Sequence, residues 1–472
     1  MPELRRKEID CLYWHHRPNQ SGYDTSIDMN HTLSVPQPTP GEPPALRSPG
    51  KLPPSLNRWT VAATVAGNAL EFYDFLTYST FAVYIGHAFF PTDSAFASLL
   101  LTLATFGVGF LTRPLGALLI GAYADRSGRR PALMLTISLM AIGTLALVLT
   151  PSYARIGVWA PAILIVARLV QGLALGGEVG PSTAVLLECA PSGSRGLFVS
   201  WQNASQGIAV CAAGLVGAAL STILDPAHMA GWGWRVPFAL GLVIVPVGLY
   251  IRRRLPETLE APGSRGSAAV LGLLWDQHRR LLMLAVLVLM CLTISTYVSN
   301  YMTTYALTTL GMPASQAMLA TITNGAIMAA GAILGGKLSD RYGRRLVMIA
   351  PRVMLLAAVY PAFLLLMSVS TPVVLMLVTA LLTLLGVLSG AAALTMLTET
   401  FPNEVRSSGL AIAYATAVSV FGGTTQFVIA WLIGVTGDRL SPAYYVIATS
   451  IVGLWAMLKL PEALRPTTPQ PA

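Results

Sequence analysis

The sequence predicts an all-α membrane protein with twelve transmembrane helices in two similar six-helix halves. Three observations support this fold class: the composition, the spacing of the apolar runs and a charged motif that occurs once in each half. Of the 472 residues, 54% are hydrophobic and 11% are charged, whereas soluble domains contain about 25% charged residues. The mean hydropathy of +0.63 therefore excludes an ordinary soluble domain.

Apolar runs long enough to cross a bilayer occur about twelve times, mostly with short polar loops between them. About 20 residues at 1.5 Å each cross the hydrocarbon core, so each run predicts one transmembrane helix. The runs begin near Ala62, Phe96, Pro131, Pro161, Leu197, Val236, Leu281, Ala317, Leu346, Thr371, Leu410 and Tyr444.

The segment before the first run differs in composition from the rest of the chain. It is rich in Pro, Ser and charged residues, lacks the apolar core of a signal peptide and is typical of disorder. We predict a disordered cytoplasmic tail at 1–56, a six-helix bundle at 57–252, a central cytoplasmic loop at 253–280, a second six-helix bundle at 281–461 and a cytoplasmic tail at 462–472.

Positive charge predicts the orientation in the membrane. If the N-terminus is cytoplasmic, the loops on that side hold nearly all loop Arg and Lys, and the opposite loops hold little beyond Arg155 and Arg439. This positive-inside pattern places both termini in the cytoplasm. The net charge of +9 is thereby explained without a nucleic-acid partner.

A charged motif is repeated between the halves. The sequence "GAYADRSGRR" at 121–130 recurs as "GGKLSDRYGRR" at 335–345, and "LECAPSGSR" at 187–195 recurs as "TETFPNEVR" at 398–406. Ordered matches at a nearly constant offset indicate two homologous halves. Parallel six-helix repeats are typical of transporters that have a central site between the halves.

The repeated motif predicts a latch between conformations. An aspartate at the end of one helix can accept hydrogen bonds from the exposed amides of a neighbouring helix N-terminus. The arginines can pair with it or with the glutamate of the next loop; the alternative is a positive-inside anchor only. The acidic residue in both copies favours the latch. Its residues are Gly121, Asp125, Arg126, Gly128, Arg129, Arg130, Glu188 and Arg195 in the first half, and Asp340, Arg341, Gly343, Arg344, Arg345, Glu399 and Arg406 in the second.

Acidic residues within the predicted spans are candidate proton carriers, because a charge near mid-membrane costs about 2.5–3.5 kcal/mol to insert. Glu71 and Asp74 form one polar stripe of the first helix with Asn68 and Tyr78. Carboxylates one turn apart disfavour each other's ionisation, so one is expected to hold the coupling proton. The alternative is a pair neutralised by an arginine for packing. Glu178, in the fourth helix, is a third candidate.

Two deep arginines are candidate substrate ligands. Arg113 lies about 18 Å of helix from Asp125, beyond easy snorkelling, and Pro114 predicts a bend beside it. Arg168 lies in the fourth helix, one turn before Gln171. We expect both arginines to bind an anion; the alternative is a structural partner for a buried carboxylate.

Polar and aromatic side chains in two further spans are candidate cavity walls. Amides in the fifth helix suit a polar substrate, but they also hold membrane helices together. An aromatic stripe in the seventh helix is equally compatible with core packing. In the second half we expect the deep Arg352 to extend to the membrane interface. The candidate binding residues are Arg113, Arg168, Gln171, Gln202, Asn203, Gln206, Tyr297 and Tyr301.

Several of these motifs resemble a known family. The two charged loops resemble the signature loop of the major facilitator superfamily, and "RLVQGLALGGE" at 168–178 resembles its fourth-helix motif. Within that superfamily, "GNALEFYDF", "GFLTRPLGALLIGAYADRSGRR", "SWQNASQ" and "WGWRVPF" are similar to the metabolite:proton symporters. The resemblance covers about residues 57–460. It implies the major facilitator fold and proton-coupled import of a small organic anion, with the strongest likeness to symporters of the tricarboxylates citrate and tricarballylate.

Other functions stay open at this point. Within the family they are a dicarboxylate or shikimate-type symporter and a betaine or proline symporter; a drug:proton antiporter would need fewer buried arginines. An enzyme is not expected, because the sequence holds no metal cluster, nucleotide loop or nucleophile motif. The expected partners are the organic anion, protons and the lipid bilayer, without nucleic acid, metal or cofactor. The chain is expected to work as a monomer.

Overall fold

The computed structural model describes residues 58–127, 129–176, 186, 190–191, 193–253, 267–402 and 405–461. Within these ranges the regular structure is entirely helical. The predicted tails at 1–56 and 462–472 lie outside the described residues.

The helices before the central loop include a divided second span. Its helix breaks at Thr112, directly before Arg113 and Pro114, where a proline ring removes a backbone donor. The helices of this N-terminal group are α1 (Arg58–Thr80), α2 (Ala82–Phe89), α3 (Ala95–Leu111), α4 (Arg113–Ser127), α5 (Arg129–Leu149), α6 (Tyr153–Ile156), α7 (Trp159–Gly176), α8 (Arg195–Ile223), α9 (Pro226–Gly231) and α10 (Val236–Arg253).

The helices after the central loop include two irregular points. The first of them starts at Ser267, inside the predicted loop, and has a kink at His278. A π-helical turn at Val418–Gly422 interrupts the eleventh predicted span. The helices of this C-terminal group are α11 (Ser267–Thr308), α12 (Ala314–Tyr342), α13 (Arg344–Ser368), α14 (Pro372–Thr400), α15 (Arg406–Ala417), α16 (Gly423–Thr436) and α17 (Ser441–Lys459).

The predicted membrane spans correspond to these helices. Each of the twelve runs begins inside a different helix, or in one case at its N-cap residue. Nine helices in the described ranges are long and apolar enough to cross a membrane. The helix α5 contains a shorter apolar stretch, Met134–Leu149. The prediction of an all-α membrane fold is confirmed.

Glycines allow the two groups of helices to approach closely. The most extensive helix contact joins α8 to α12, where a Cβ atom on Gly325 would lie 2.1 Å from the backbone nitrogen of Cys211. A Cβ atom on Gly107 of α3 would lie 2.7 Å from the carbonyl oxygen of Gly423 in α16. Small residues at such contacts are how membrane helices pack without a hydrophobic driving force. The two groups are thus joined along α8–α12 and α3–α16.

Candidate functional site

The second copy of the charged motif connects α12 to the N-terminus of α8. The two carboxylate oxygens of Asp340 accept hydrogen bonds from the backbone amides of Gly196 and Leu197, each at 2.9 Å. These amides belong to the first turn of a helix, which leaves them without an intrahelical partner, and the carboxylate also meets the positive end of the helix dipole. The predicted contact of the motif aspartate is therefore present at Asp340; its action as a latch stays a prediction.

Arg344 extends this connection to α14. Its Nη1 donates to Asp340 Oδ1 at 2.6 Å, and its Nε and Nη2 each donate to the carboxylate of Glu399 at 3.2 Å. One guanidinium thus joins three helices through two carboxylates. Gly343, between α12 and α13, has a φ of 95°, a conformation that glycine adopts without strain.

Two other latch candidates of the second half make different contacts. Arg341 stacks on Tyr342, with 5.4 Å from its guanidinium carbon to the ring centroid. Arg345 donates to the carbonyl oxygen of Leu458 at 2.9 Å.

Most of the first copy falls where the structure gives no side-chain positions. Arg195 is exposed at the start of α8. Glu178, Glu188 and Gly128 lie outside the described residues. Side chains are likewise not described for Asp125, Arg126, Arg129 and Arg130, for Gly121 in the same stretch, and for Arg406.

The predicted polar stripe of α1 is buried, and none of its four residues is more than 4% exposed. Asn68 donates to Ser205 Oγ at 2.6 Å and accepts from Gln202 Nε2 at 3.0 Å. Gln202 therefore joins α8 to α1, which is the helix-joining alternative that the sequence left open. Glu71 lies one turn further along the same buried face.

Asp74 belongs to a hydrogen-bonded chain across three helices. Its Oδ2 contacts the Thr144 hydroxyl of α5, which also accepts from Gln171 Nε2 of α7 at 2.8 Å. Thr144 additionally lies 3.0 Å from the carbonyl oxygen of Met140. Gln171 is thus part of the hydrogen-bonded chain that includes Asp74, and its role in substrate binding stays a prediction.

Arg168 is completely buried and rests on an aromatic ring. Its guanidinium carbon lies 3.8 Å from the centroid of the Tyr78 ring. Its three side-chain nitrogens have no hydrogen-bond partner among the described residues. Asp74 is the acid that interacts with it electrostatically.

Arg113, 4% exposed, occupies a similar environment at the start of α4. Its guanidinium carbon lies 4.1 Å from the ring centroid of Phe110 and 4.6 Å from that of Phe75. The guanidinium also interacts electrostatically with Tyr297 of α11 and with Tyr414 of α15. Its Nε and Nη2 have no hydrogen-bond partner among the described residues. Arg113 thus faces the C-terminal helices.

A cavity of about 90 Å³ lies between the two groups of helices, and we call it the central cavity. Its walls include three predicted binding residues, Asn203, Gln206 and Tyr297. Tyr414, the second tyrosine beside Arg113, also lines it. Tyr301 instead packs in the apolar core of the C-terminal helices, which favours the packing alternative for that residue.

Sequence reasoning missed part of the cavity wall. Asn324 donates to Asn300 Oδ1 at 2.6 Å and accepts from the Thr383 hydroxyl at 2.8 Å, and all three residues line the central cavity. An asparagine in an apolar run such as that of α12 is a signal for this cluster, because an amide needs a partner in the membrane. Tyr414 carries no comparable signal, since its partner Arg113 is remote in sequence.

The prediction that Arg352 extends to the membrane interface is wrong. Arg352 is completely buried, and its Nη1 donates to Ser295 Oγ of α11 at 2.7 Å. Arg352 lies seven residues after Arg345, about two turns into α13, and its side chain points at α11.

Apolar membrane helices that enclose charged side chains around a central cavity define a class of protein, the multi-pass membrane transporters, because intramembrane charges mark substrate and ion pathways. The chain belongs to the major facilitator superfamily: the family profile matches residues 64–423 and, in a second match, 286–472. The resemblance found in the sequence is therefore confirmed.

Similar proteins are transporters. The chain is 40% identical over 402 residues to a citrate-proton symporter of Klebsiella pneumoniae, covering 84% of this chain and 90% of that protein. It is 33% identical over 414 residues to an alpha-ketoglutarate permease of Escherichia coli strain K12, with 85% and 93% covered. Among solved structures, a D-xylose-proton symporter superposes with a TM-score of 0.69 at 20% identity, over 86% of this chain and 98% of that one. The likeness to the D-xylose-proton symporter shows the fold alone. The two sequence relatives show that this chain is a transporter and not an enzyme.

Proposed function

We propose that the protein is a proton-coupled symporter of the inner membrane that imports a small organic anion, a tricarboxylate such as citrate, by alternating access between two six-helix halves. Both termini face the cytoplasm, and the monomer is the working unit. The observation that carries the proposal is the pair of buried arginines with vacant hydrogen-bond donors, one of them beside the central cavity. The 40% identity to a citrate-proton symporter supports the substrate class.

Aromatic packing suits the arginines to anion binding. A ring face stabilises a cation electrostatically without neutralising it, whereas a carboxylate partner would cancel the charge. Arg113 interacts with Tyr297 and Tyr414, which both line the central cavity. A carboxylate that enters between these tyrosines meets a planar donor fork, which matches its two oxygens.

Asp74 is proposed to carry the proton. The Thr144 hydroxyl, which contacts Asp74, has a single proton to donate. With Asp74 ionised, that proton bonds the carboxylate; with Asp74 protonated, Asp74 donates and the hydroxyl turns to the Met140 carbonyl oxygen. Asp74 thus keeps a hydrogen bond in both protonation states. Glu71 and Glu178 stay as candidates for the same role.

The coupling between proton and anion follows from charge balance. Asp74 is the acid that acts electrostatically on Arg168. Protonation of Asp74 removes that negative charge, so Arg168 then requires another anion in the membrane interior. Binding of the substrate carboxylate and of the proton are therefore favourable together.

A competition experiment tests the substrate class. Uptake of radiolabelled citrate into a strain that lacks citrate transport is measured against a panel of unlabelled tricarboxylates, dicarboxylates and zwitterions. We expect citrate and tricarballylate to compete best. The 33% identity to an alpha-ketoglutarate permease makes a dicarboxylate the second candidate, and stronger competition by 2-oxoglutarate than by tricarballylate would favour it.

A further inference from the structure

A third buried arginine has no part in the function proposed above. Arg352 of α13 is completely buried, and only its Nη1 has a hydrogen-bond partner in the described part of the chain, the Ser295 hydroxyl at 2.7 Å. The ion pairs described in the C-terminal helices join Arg344 to Asp340 and Glu399, so they do not neutralise it. A buried and unpaired cation is costly unless something else pairs with it.

Ser295 links Arg352 to the wall of the central cavity. This residue lines the cavity, and its hydroxyl accepts from Arg352 while donating to the carbonyl oxygen of Cys291 at 2.8 Å. The Ser295 side chain therefore connects the guanidinium to the wall of the space that a substrate enters.

Two glycines of α14 widen the cavity opposite Ser295. A Cβ atom on Gly386 would lie 3.9 Å from the Cβ of Ser295, and one on Gly390 would lie 3.8 Å from Leu292 Cδ2. These are ordinary contacts, unlike the 2.4 Å that a Cβ atom on Gly207 would make with the backbone of Ala329. Close helix packing therefore does not require glycine at Gly386 or Gly390. Their effect is to leave room beside Ser295.

We propose that Arg352 is a second anion subsite, which binds one carboxylate of a polycarboxylate substrate at the Ser295 wall of the cavity. The proposal rests on the proposed function and deepens it. Arg113 and Arg352 supply one cation from each group of helices, so a substrate with several carboxylates contacts both groups at once. A carboxylate replaces the Ser295 hydroxyl as acceptor at Nη1, and its second oxygen accepts from the vacant Nη2, which gives an end-on bidentate pair.

The test compares substrates that differ in carboxylate number. Uptake of citrate and of a dicarboxylate, glutarate, is measured for the wild type and for Arg352→Lys, which keeps the charge and loses the fork. We expect Arg352→Lys to raise the KM for citrate about tenfold or more, as the loss of a hydrogen bond to a charged group implies, and to raise that for glutarate less. Arg279→Lys, at an exposed position, is the matched control.

A second variant keeps the test valid if Arg352→Lys folds poorly. Gly386→Ala adds a methyl group to the cavity beside Ser295 and should raise the KM for citrate without changing the thermal unfolding midpoint; Gly231→Ala, in open space, is its control. Equal effects on both substrates in Arg352→Lys together with an unchanged citrate KM in Gly386→Ala would overturn the subsite. Failure of the wild type to take up any carboxylate would instead overturn the proposed function, and the subsite with it.

Discussion

At the residue scale, the two deep arginines of the N-terminal helices pack on aromatic rings, and the described residues show no hydrogen bond from either of them to a carboxylate. Arg113 lies against Phe75 and Phe110, and Arg168 lies against Tyr78. The depth of these arginines could be predicted from the sequence, because an intramembrane charge is rare and costly. Their ring partners could not, since an aromatic residue in an apolar run looks the same whether it faces lipid, core or a cation.

The first residue-scale prediction concerns the donor fork. Arg113→Lys and Arg168→Lys keep the positive charge but lose bidentate geometry, so each should raise the KM for a tricarboxylate about tenfold and that for a zwitterion much less. Radiolabelled uptake by both variants, with Arg279→Lys as the control, measures the KM for the tricarboxylate and for the zwitterion relative to the wild type. Equal losses for all substrates, with poor expression, would assign both arginines to packing.

The second residue-scale prediction concerns the proton. Asp74→Asn keeps the size of the side chain and its capacity to hydrogen-bond, but it cannot bind and release a proton. It should therefore abolish uphill accumulation and spare exchange of substrate down its gradient. Accumulation and counterflow are measured in the same vesicles, and Asp276→Asn, at an exposed position, is the control. Accumulation at the wild-type level in Asp74→Asn would show that another acid carries the coupling proton. Glu71→Gln would then be the decisive variant.

At the element scale, the helix ends and helix contacts determine which surfaces can move. The contact of Asp340 with the N-terminus of α8 follows from the repeated sequence motif and from general properties of helix ends. The division of α3 from α4 follows from Pro114. The π-helical turn before α16 had no sequence signal, although it places Gly422 where a Cβ atom would lie 3.0 Å from the ring of Tyr297. Such local windings depend on the neighbouring helix and not on the segment itself.

The latch prediction belongs to the contact between α12 and α8. Asp340→Asn loses the charge that binds two amides and Arg344, an interaction of about 1.5–3 kcal/mol per charged hydrogen bond. We expect a shift of about tenfold or more between inward- and outward-open populations, with expression retained. Labelling of single cysteines in the central cavity reports the shift, and Lys337→Gln, at an exposed position, is the control. Cysteine labelling that is the same as in the wild type would favour the alternative in which the charged motif only orients the chain in the membrane.

A packing prediction belongs to the same pair of helices. Gly325→Ala forces a Cβ atom to 2.1 Å from the Cys211 backbone nitrogen, so α8 and α12 must separate, and overpacking of this kind costs about 1–3 kcal/mol. The thermal unfolding midpoint in detergent should fall, whereas Gly231→Ala should leave it unchanged. An unchanged midpoint for Gly325→Ala would mean that the two helices are not held in close contact.

At the scale of the whole molecule, charge is distributed unequally between the two groups of helices. Among the described residues, the buried acids Glu71 and Asp74 both lie in α1, whereas the C-terminal group contributes Arg352 and a cluster of neutral amides and hydroxyls. Under the proposed function, this arrangement assigns the proton to the N-terminal group and a part in binding the anion to both groups. The repeat in the sequence predicted the common architecture of the halves. The repeated motifs lie in the loops and do not bear on the interiors, whose difference is predicted instead by the acids of the first span and the deep Arg352 of the second half.

The most direct test of proton-coupled import is citrate uptake into proteoliposomes that contain the purified full chain. With an acidic exterior and a neutral lumen, we expect radiolabelled citrate to accumulate above its outside concentration, and a protonophore should abolish the accumulation. Citrate that equilibrates at the same rate and to the same level with and without the gradient would contradict proton coupling. Gradient-driven uptake of betaine, with none of citrate, would contradict the organic-anion site.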